Sequence, residues 1–199
     1  MITDRRSERI KEVVAKRQDN LTVILENVHD PHNIGAVLRS CDSVGIGEVY
    51  VLLTEDHLTK DRYVGTSSSS GAKKWVDVHF YNDVSECMQQ VRSKYEKIYG
   101  THLDTDSVSL YDLDLSSSCA LMFGNEHDGI SEEALQYLDG NFIIPQHGMV
   151  QSLNISVACA VSLYEASRQR ILKGAYSRTF DSTMEAAYMK YVEITRKLR

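Results

Sequence analysis

Residues 143–158, Ile-Ile-Pro-Gln-His-Gly-Met-Val-Gln-Ser-Leu-Asn-Ile-Ser-Val-Ala, constrain the fold of this chain more than any other stretch. An apolar strand stops at Pro145, a loop carrying Gly148 follows, and Ser152 and Asn154 stand where a helix begins. Ser and Asn at a helix start accept hydrogen bonds from backbone N–H groups that have no partner inside the helix, or they reach into a pocket. The small residues Ala158, Cys159 and Ala160 let another length of backbone lie close against that helix. Taken alone, the stretch also fits an ordinary strand–loop–helix unit.

The rest of the chain sets that unit in an alternating pattern. Apolar runs at 21–26, 48–53, 75–80, 97–101, 119–124 and 141–144 read as strands. Helical patterns fill 3–18, 33–44, 83–95, 132–138, 153–172 and 183–197, with a short helical piece near 57–63. Parallel strands need crossover connections, which helices supply, so the alternation predicts the α/β class: a mostly parallel sheet with helices on both faces. The polar stretch 103–117 and the low-complexity, serine-rich stretch 65–71 read as loops. Asp30-Pro31-His32-Asn33 follows the first strand in place of a glycine-rich fingerprint, which disfavours a dinucleotide-binding oxidoreductase.

A chain of 199 residues fits one domain with a substantial core. No apolar run approaches the ~18 residues of a membrane helix, and the charged start lacks a signal-peptide core. Cys41, Cys87, Cys119 and Cys159 lie far apart, without C-x-x-C or zinc-type spacing, and the seven histidines form no H-x-x-x-H pair. Reduced, packed thiols, no metal, no membrane and a cytoplasmic location are expected. The net charge is −6. Its distribution is uneven: residues 1–20 hold six basic and four acidic side chains, residues 165–199 eight and four, and residues 21–164 eight and twenty. Basic ends on an acidic body can still grip a phosphate backbone, because screening hides distant charge. The expected organisation is a basic helical extension over 1–20, a core over 21–173, and a second basic helical extension over 174–199.

Three segments carry a more specific signal. The first holds Asn27, Asn33 and Arg39 at six-residue intervals. The second is Gly124-Asn125-Glu126, followed by Gly129-Ile130-Ser131. The third runs from Ile144-Pro145 through Ser152-Leu153-Asn154 to Ser156-Val157-Ala158. In this order they resemble the three motifs of the SpoU branch of the SPOUT RNA methyltransferases, over roughly residues 21–170. The resemblance implies methyl transfer from S-adenosyl-L-methionine to a ribose 2′-hydroxyl of RNA. It also implies a deep C-terminal trefoil knot and a homodimer with a shared active site.

The same resemblance implies site residues. Thr101, Gly124, Ile144 and Leu153 would hold the cofactor; Arg39, Asn33, Glu126, Ser152 and Asn154 would serve catalysis. Arg39 is the only Lys or Arg between positions 21 and 55. A guanidinium stays protonated, so it suits holding a phosphate and stabilising a developing alkoxide better than acting as a base. Asn33 reads as a substrate hydrogen-bonder or as a plain helix cap. Glu126 would orient Arg39 or a ribose, and Ser152 and Asn154 would fix their loop against substrate or partner. Residues 163–170 resemble the members that methylate a D-loop guanosine of tRNA. The alternatives are another tRNA or rRNA site, or a catalytically silent RNA-binding protein of the same fold.

Overall fold

The computed structural model describes residues 2–61 and 71–197. Its strands are β1 (Leu21–Glu26), β2 (Glu48–Leu52), β3 (Asp77–Tyr81), β4 (Lys97–Thr101), β5 (Val108–Ser109), β6 (Cys119–Phe123) and β7 (Gly140–Ile143). They form one seven-stranded sheet in the order β3-β2-β1-β6-β4-β7-β5, with every neighbouring pair parallel. The helices are α1 (Asp4–Ala15), α2 (Pro31–Ser43), α3 (Val84–Arg92), α4 (Glu132–Leu135), α5 (Ile155–Leu172) and α6 (Glu185–Lys197). None of the described helices is long and apolar enough to cross a membrane.

The central strands β1 and β6 are buried along their whole length, which is why they read as predominantly apolar runs. Alternate residues serve opposite faces. Leu21, Val23, Leu25 and Leu121 pack with Val37, Leu38 and Cys41 of α2 and Cys159 and Leu163 of α5. Ile24, Ala120 and Met122 pack on the other face with Cys87, Met88 and Val91 of α3 and Ala134 of α4. All four cysteines are free and buried. Burial pushes the Cys87 thiol up to about 12 and the Cys119 thiol up to about 11, so both stay protonated at neutral pH.

The topology at the C-terminal side departs from an open doubly wound sheet. Strand β7 inserts between β4 and β5, although β4 and β5 follow one another in the chain. Such an insertion of a later strand is what the expected knot requires, and the fold shared with the relatives below implies the knot itself. Strand β5 is absent from the sequence pattern: it lies inside the stretch expected as the loop 103–117 and pairs only through Val108 and Ser109.

Other boundaries shift as well. Helix α2 starts at Pro31 with Asp30 as its cap, rather than at residue 33, because Pro at the first helical position has no N–H to leave unpaired. Helix α4 stops at Leu135, so Tyr137 and Leu138 belong to the turn leading into β7. Leu138 fills the space a side chain at Gly100 would need. The helical piece near 57–63 begins only at Lys60; the rest of it, and the stretch 65–70, lie outside the described residues.

The two ends of the chain meet. Ile10, Val14 and Ala15 of α1 form a third apolar cluster with Met184, Tyr191 and Val192, joined by Trp75. Arg17 clamps this cluster to the core: it donates to the Tyr191 hydroxyl at 2.7 Å, to the Ile46 carbonyl at 2.8 Å and to Asp42 at 2.9 Å.

Candidate active site

At the C-terminal end of the sheet, the loops after β4, β6 and β7 enclose a cavity of about 840 Å³. Open parallel sheets place ligand sites at this end, and the volume suits a nucleoside-sized ligand. Thr101, Gly124, Ile144 and Leu153 all line it, as do Glu126, Ser152 and Asn154. Seven of the nine residues expected at the site therefore share one cavity.

The β6–α4 loop is built by Asn125. Its backbone exchanges hydrogen bonds with Gly129 at 3.0 Å in each direction, and its side-chain oxygen accepts from the N–H groups of His127 at 2.6 Å and Asp128 at 3.1 Å. Gly129 holds a φ of +73°, which an L side chain rarely adopts. The closing turn comes so near β6 that a Cβ at Gly124 would lie 2.0 Å from the Gly129 carbonyl carbon and 2.3 Å from the Ile130 nitrogen. Gly124→Ala therefore has to displace backbone, not a flexible side-chain tip. Overpacking of that kind costs roughly 1–3 kcal/mol, a ten- to hundredfold loss of cofactor affinity if the loop carries the strain. Titration calorimetry with S-adenosylmethionine checks this, and an unchanged affinity would show that the loop does not form the cofactor site.

Asn33 and Asn154 meet at the rim. The Asn33 amide donates to Glu126 Oε1 at 2.6 Å, and the Asn154 amide donates to Asn33 Oδ1 at 3.2 Å. Asn154 also caps α5, its Oδ1 accepting from the Ser156 N–H at 2.9 Å. Asp30 takes the capping role at α2, with the His32 N–H at 2.8 Å, and this frees the Asn33 side chain for the rim. Glu126 thus pairs within the chain with Asn33 and not with Arg39. Ser152 is exposed on the loop.

Arg39 stands apart. It is exposed on α2, does not line the cavity, and makes no hydrogen bond or ion pair among the described residues. Four residues on, along the same helix face, the Ser43 hydroxyl meets the Tyr164 hydroxyl of α5 at 3.3 Å. On α5 the exposed residues Val157, Tyr164 and Ile171 recur at intervals of seven, an apolar stripe that none of the described residues covers.

Sequence reasoning missed several cavity residues, among them His102, Phe142 and Gln146. Gln146 has a detectable signature only in three dimensions: its buried Oε1 has no hydrogen-bond partner.

Comparison with known proteins agrees with this geometry. Residues 20–164 match the SpoU rRNA Methylase family. The tRNA (guanosine(18)-2′-O)-methyltransferase of Thermus thermophilus is 43% identical over 176 residues, 88% of this chain and 89% of that protein. The enzyme of the same name from Escherichia coli K12 is 38% identical over 181 residues, 91% of this chain and 77% of that one. The crystal structure of the A. aeolicus TrmH/SpoU tRNA modifying enzyme superposes with a TM-score of 0.83 at 33% identity, covering 98% of each chain. The SpoU methyltransferase AviRb from Streptomyces viridochromogenes, solved in complex with AdoMet, gives a TM-score of 0.69 at 28% identity over 78% of this chain and 59% of that one. With the family matched over most of the chain and two of the three motif segments lining one cavity, this protein belongs to the SpoU methylase family.

Proposed function

We propose that this protein transfers the methyl group of S-adenosylmethionine to the ribose 2′-hydroxyl of guanosine 18 of tRNA, the reaction for which its relatives are named. The observation that carries this reading is the hydrogen-bonded run Glu126–Asn33–Asn154, which takes one residue from each motif: Glu126 and Asn154 line the cavity and Asn33 bridges them. The residues present fit the cofactor. Gln146 offers a buried acceptor without a partner, matched to an amino or ammonium donor, and Gly124 and Gly129 add no side chain to the cavity wall. When bound, S-adenosylmethionine supplies a methyl group already activated on a sulfonium.

The protein must then align the ribose hydroxyl and assist loss of its proton. Arg39 serves by holding the adjacent phosphate and stabilising the oxygen as negative charge develops on it. Its position outside the cavity and the uncovered apolar stripe on α5 support a homodimer packed through α2 and α5, with Arg39 reaching the partner's cavity. The reading places the enzyme in the cytoplasm with tRNA.

Incubation of the protein with unmodified tRNA and S-adenosylmethionine, followed by nuclease digestion and mass spectrometry, should reveal one 2′-O-methylguanosine at position 18. Methylation of a base, methylation elsewhere, or none would overturn the assignment. Cofactor binding should persist in the presence of a chelator.

The exposed Arg5, Arg6 and Arg9 of α1, together with Arg196 and Lys197 of α6, neutralise RNA phosphates in this reading. Arg6 and Arg9 border a second cavity of about 210 Å³ lined by Trp75 and Tyr191, with the Arg6 guanidinium 5.7 Å from the Trp75 ring. Arg17 and Arg170 are buried and do not count towards the RNA surface, although both add to the basic balance of the ends. Replacing Arg5, Arg6 and Arg9 together by Ala should flatten the log–log salt dependence of tRNA binding by roughly 0.7–0.9 for every phosphate left without its cation, with cofactor affinity unchanged. An unaltered salt slope would move the RNA surface elsewhere.

A further inference from the structure

His29 follows β1, and Glu55 and His57 follow β2; the loops bring all three together beside the β6–α4 loop. His29 Nε2 lies 3.1 Å from Glu55 Oε2, His57 Nδ1 lies 3.5 Å from the same oxygen, and the three donor atoms all fall within 4.8 Å of one another. Ligand atoms bound at roughly 2.0–2.1 Å to one tetrahedral ion stand ~3.3–3.4 Å apart. Two of the three separations already bracket that value.

The Asn125 amide nitrogen lies 3.3 Å from His29 Nε2 and 3.4 Å from Glu55 Oε1. Its identity as nitrogen follows from the opposite end of the amide, which accepts two backbone N–H groups. With a proton on His29 Nε2, that N–H and the Asn125 amide both donate to the Glu55 carboxylate, which His29 reaches at 3.1–3.2 Å. Loss of that proton leaves a lone pair facing the carboxylate, and a cation shared by the imidazole and the carboxylate takes the proton's place.

We propose that His29, Glu55 and His57 form a site for a divalent transition metal of the zinc, cobalt or nickel type. Two imidazoles and one carboxylate suit these ions; magnesium and calcium prefer sets of oxygen ligands. The metal takes up lone pairs of His29 and Glu55 that the Asn125 amide otherwise holds. Asn125 organises the loop whose residues Asn125, Glu126, His127 and Gly129 line the cofactor cavity. Metal binding and cofactor binding are therefore coupled, the metal loosening the loop that the cofactor needs ordered, and the coupling is reciprocal. The metal acts as a modulator and takes no part in methyl transfer.

The test uses the full chain, stripped with a chelator, and Co²⁺ as a visible probe. One Co²⁺ per chain should bind with a d–d spectrum of nitrogen and oxygen ligation, resistant to competition by Mg²⁺. His57→Ala, which alters a side chain 60% exposed, and Glu55→Gln should each weaken binding at least tenfold without moving the thermal midpoint of the metal-free protein. S-adenosylmethionine should weaken Co²⁺ affinity about fivefold or more. Absence of Co²⁺ binding, or equal affinity in the wild type and both variants, overturns the site. Equal Co²⁺ affinity with and without cofactor overturns the coupling.

Discussion

Arg39→Ala is expected to lower the rate of methyl transfer by roughly 10²–10³ while leaving cofactor affinity and fold intact. The side chain is exposed and unbonded among the described residues, so its loss strands no partner and opens no cavity. In the role proposed for it, what disappears is a cation that meets negative charge existing only as the reaction proceeds. The loss should accordingly appear in kcat far more than in cofactor binding. Arg39→Lys should recover only part of the rate, since an ammonium keeps the charge but not the planar fork that grips a phosphate. In the homodimer proposed above, mixing Arg39→Ala subunits with Gly124→Ala subunits should restore activity: one of the two composite sites then combines a sound cavity with a sound arginine. Near-normal single-turnover rates in Arg39→Ala would reduce this residue to a surface cation. Failure of the mixed dimers to recover would place its action within one chain.

The sequence makes some of this architecture plain and hides the rest for identifiable reasons. Strand β1 is legible because both its faces are buried, so Leu21 to Leu25 carry almost no polar interruption. Residues at the cavity are legible only through the family resemblance that Gly124-Asn125-Glu126 and Ser152-Leu153-Asn154 carry; local pattern alone reads them as a turn and a helix cap. Strand β5 is not legible: two residues give no periodicity, and its pairing depends on β7, more than thirty positions downstream. The His29, Glu55 and His57 cluster escapes any spacing rule, because the first ligand sits on a different loop from the other two. Charge counting misjudges Arg17 and Arg170 for a related reason. A guanidinium can be buried where loop carbonyls converge on it, and no local pattern reveals which carbonyls will do so.

Arg170→Met tests that last case, with an expected loss of about 3–5 kcal/mol in unfolding free energy. Arg170 is only 1% exposed, among the least accessible side chains of the molecule. Its Nε donates to the Leu115 carbonyl at 2.9 Å, and its terminal nitrogens donate to the Ser117 carbonyl at 2.6 Å, the Asn20 carbonyl at 3.2 Å and Gln18 Oε1 at 3.2 Å. Asn20 Oδ1 accepts as well. One side chain on α5 thereby ties down the segment entering β1 and the segment entering β6, the two central strands. Methionine keeps the stem volume and withdraws every donor. The acceptors on the buried residues Leu115 and Gln18 then lose their donor, at roughly 1–3 kcal/mol for each that finds no new partner. Some relaxation will recover part of the sum, and relief from burying a charge recovers more, which sets the estimate below the upper end of simple addition. Against the 5–15 kcal/mol typical of a whole domain, the remainder is still a large fraction. Urea denaturation gives the value directly. A midpoint within the error of the wild type would show that the two loops hold their conformation without the arginine, and that its burial follows from the fold instead of securing it.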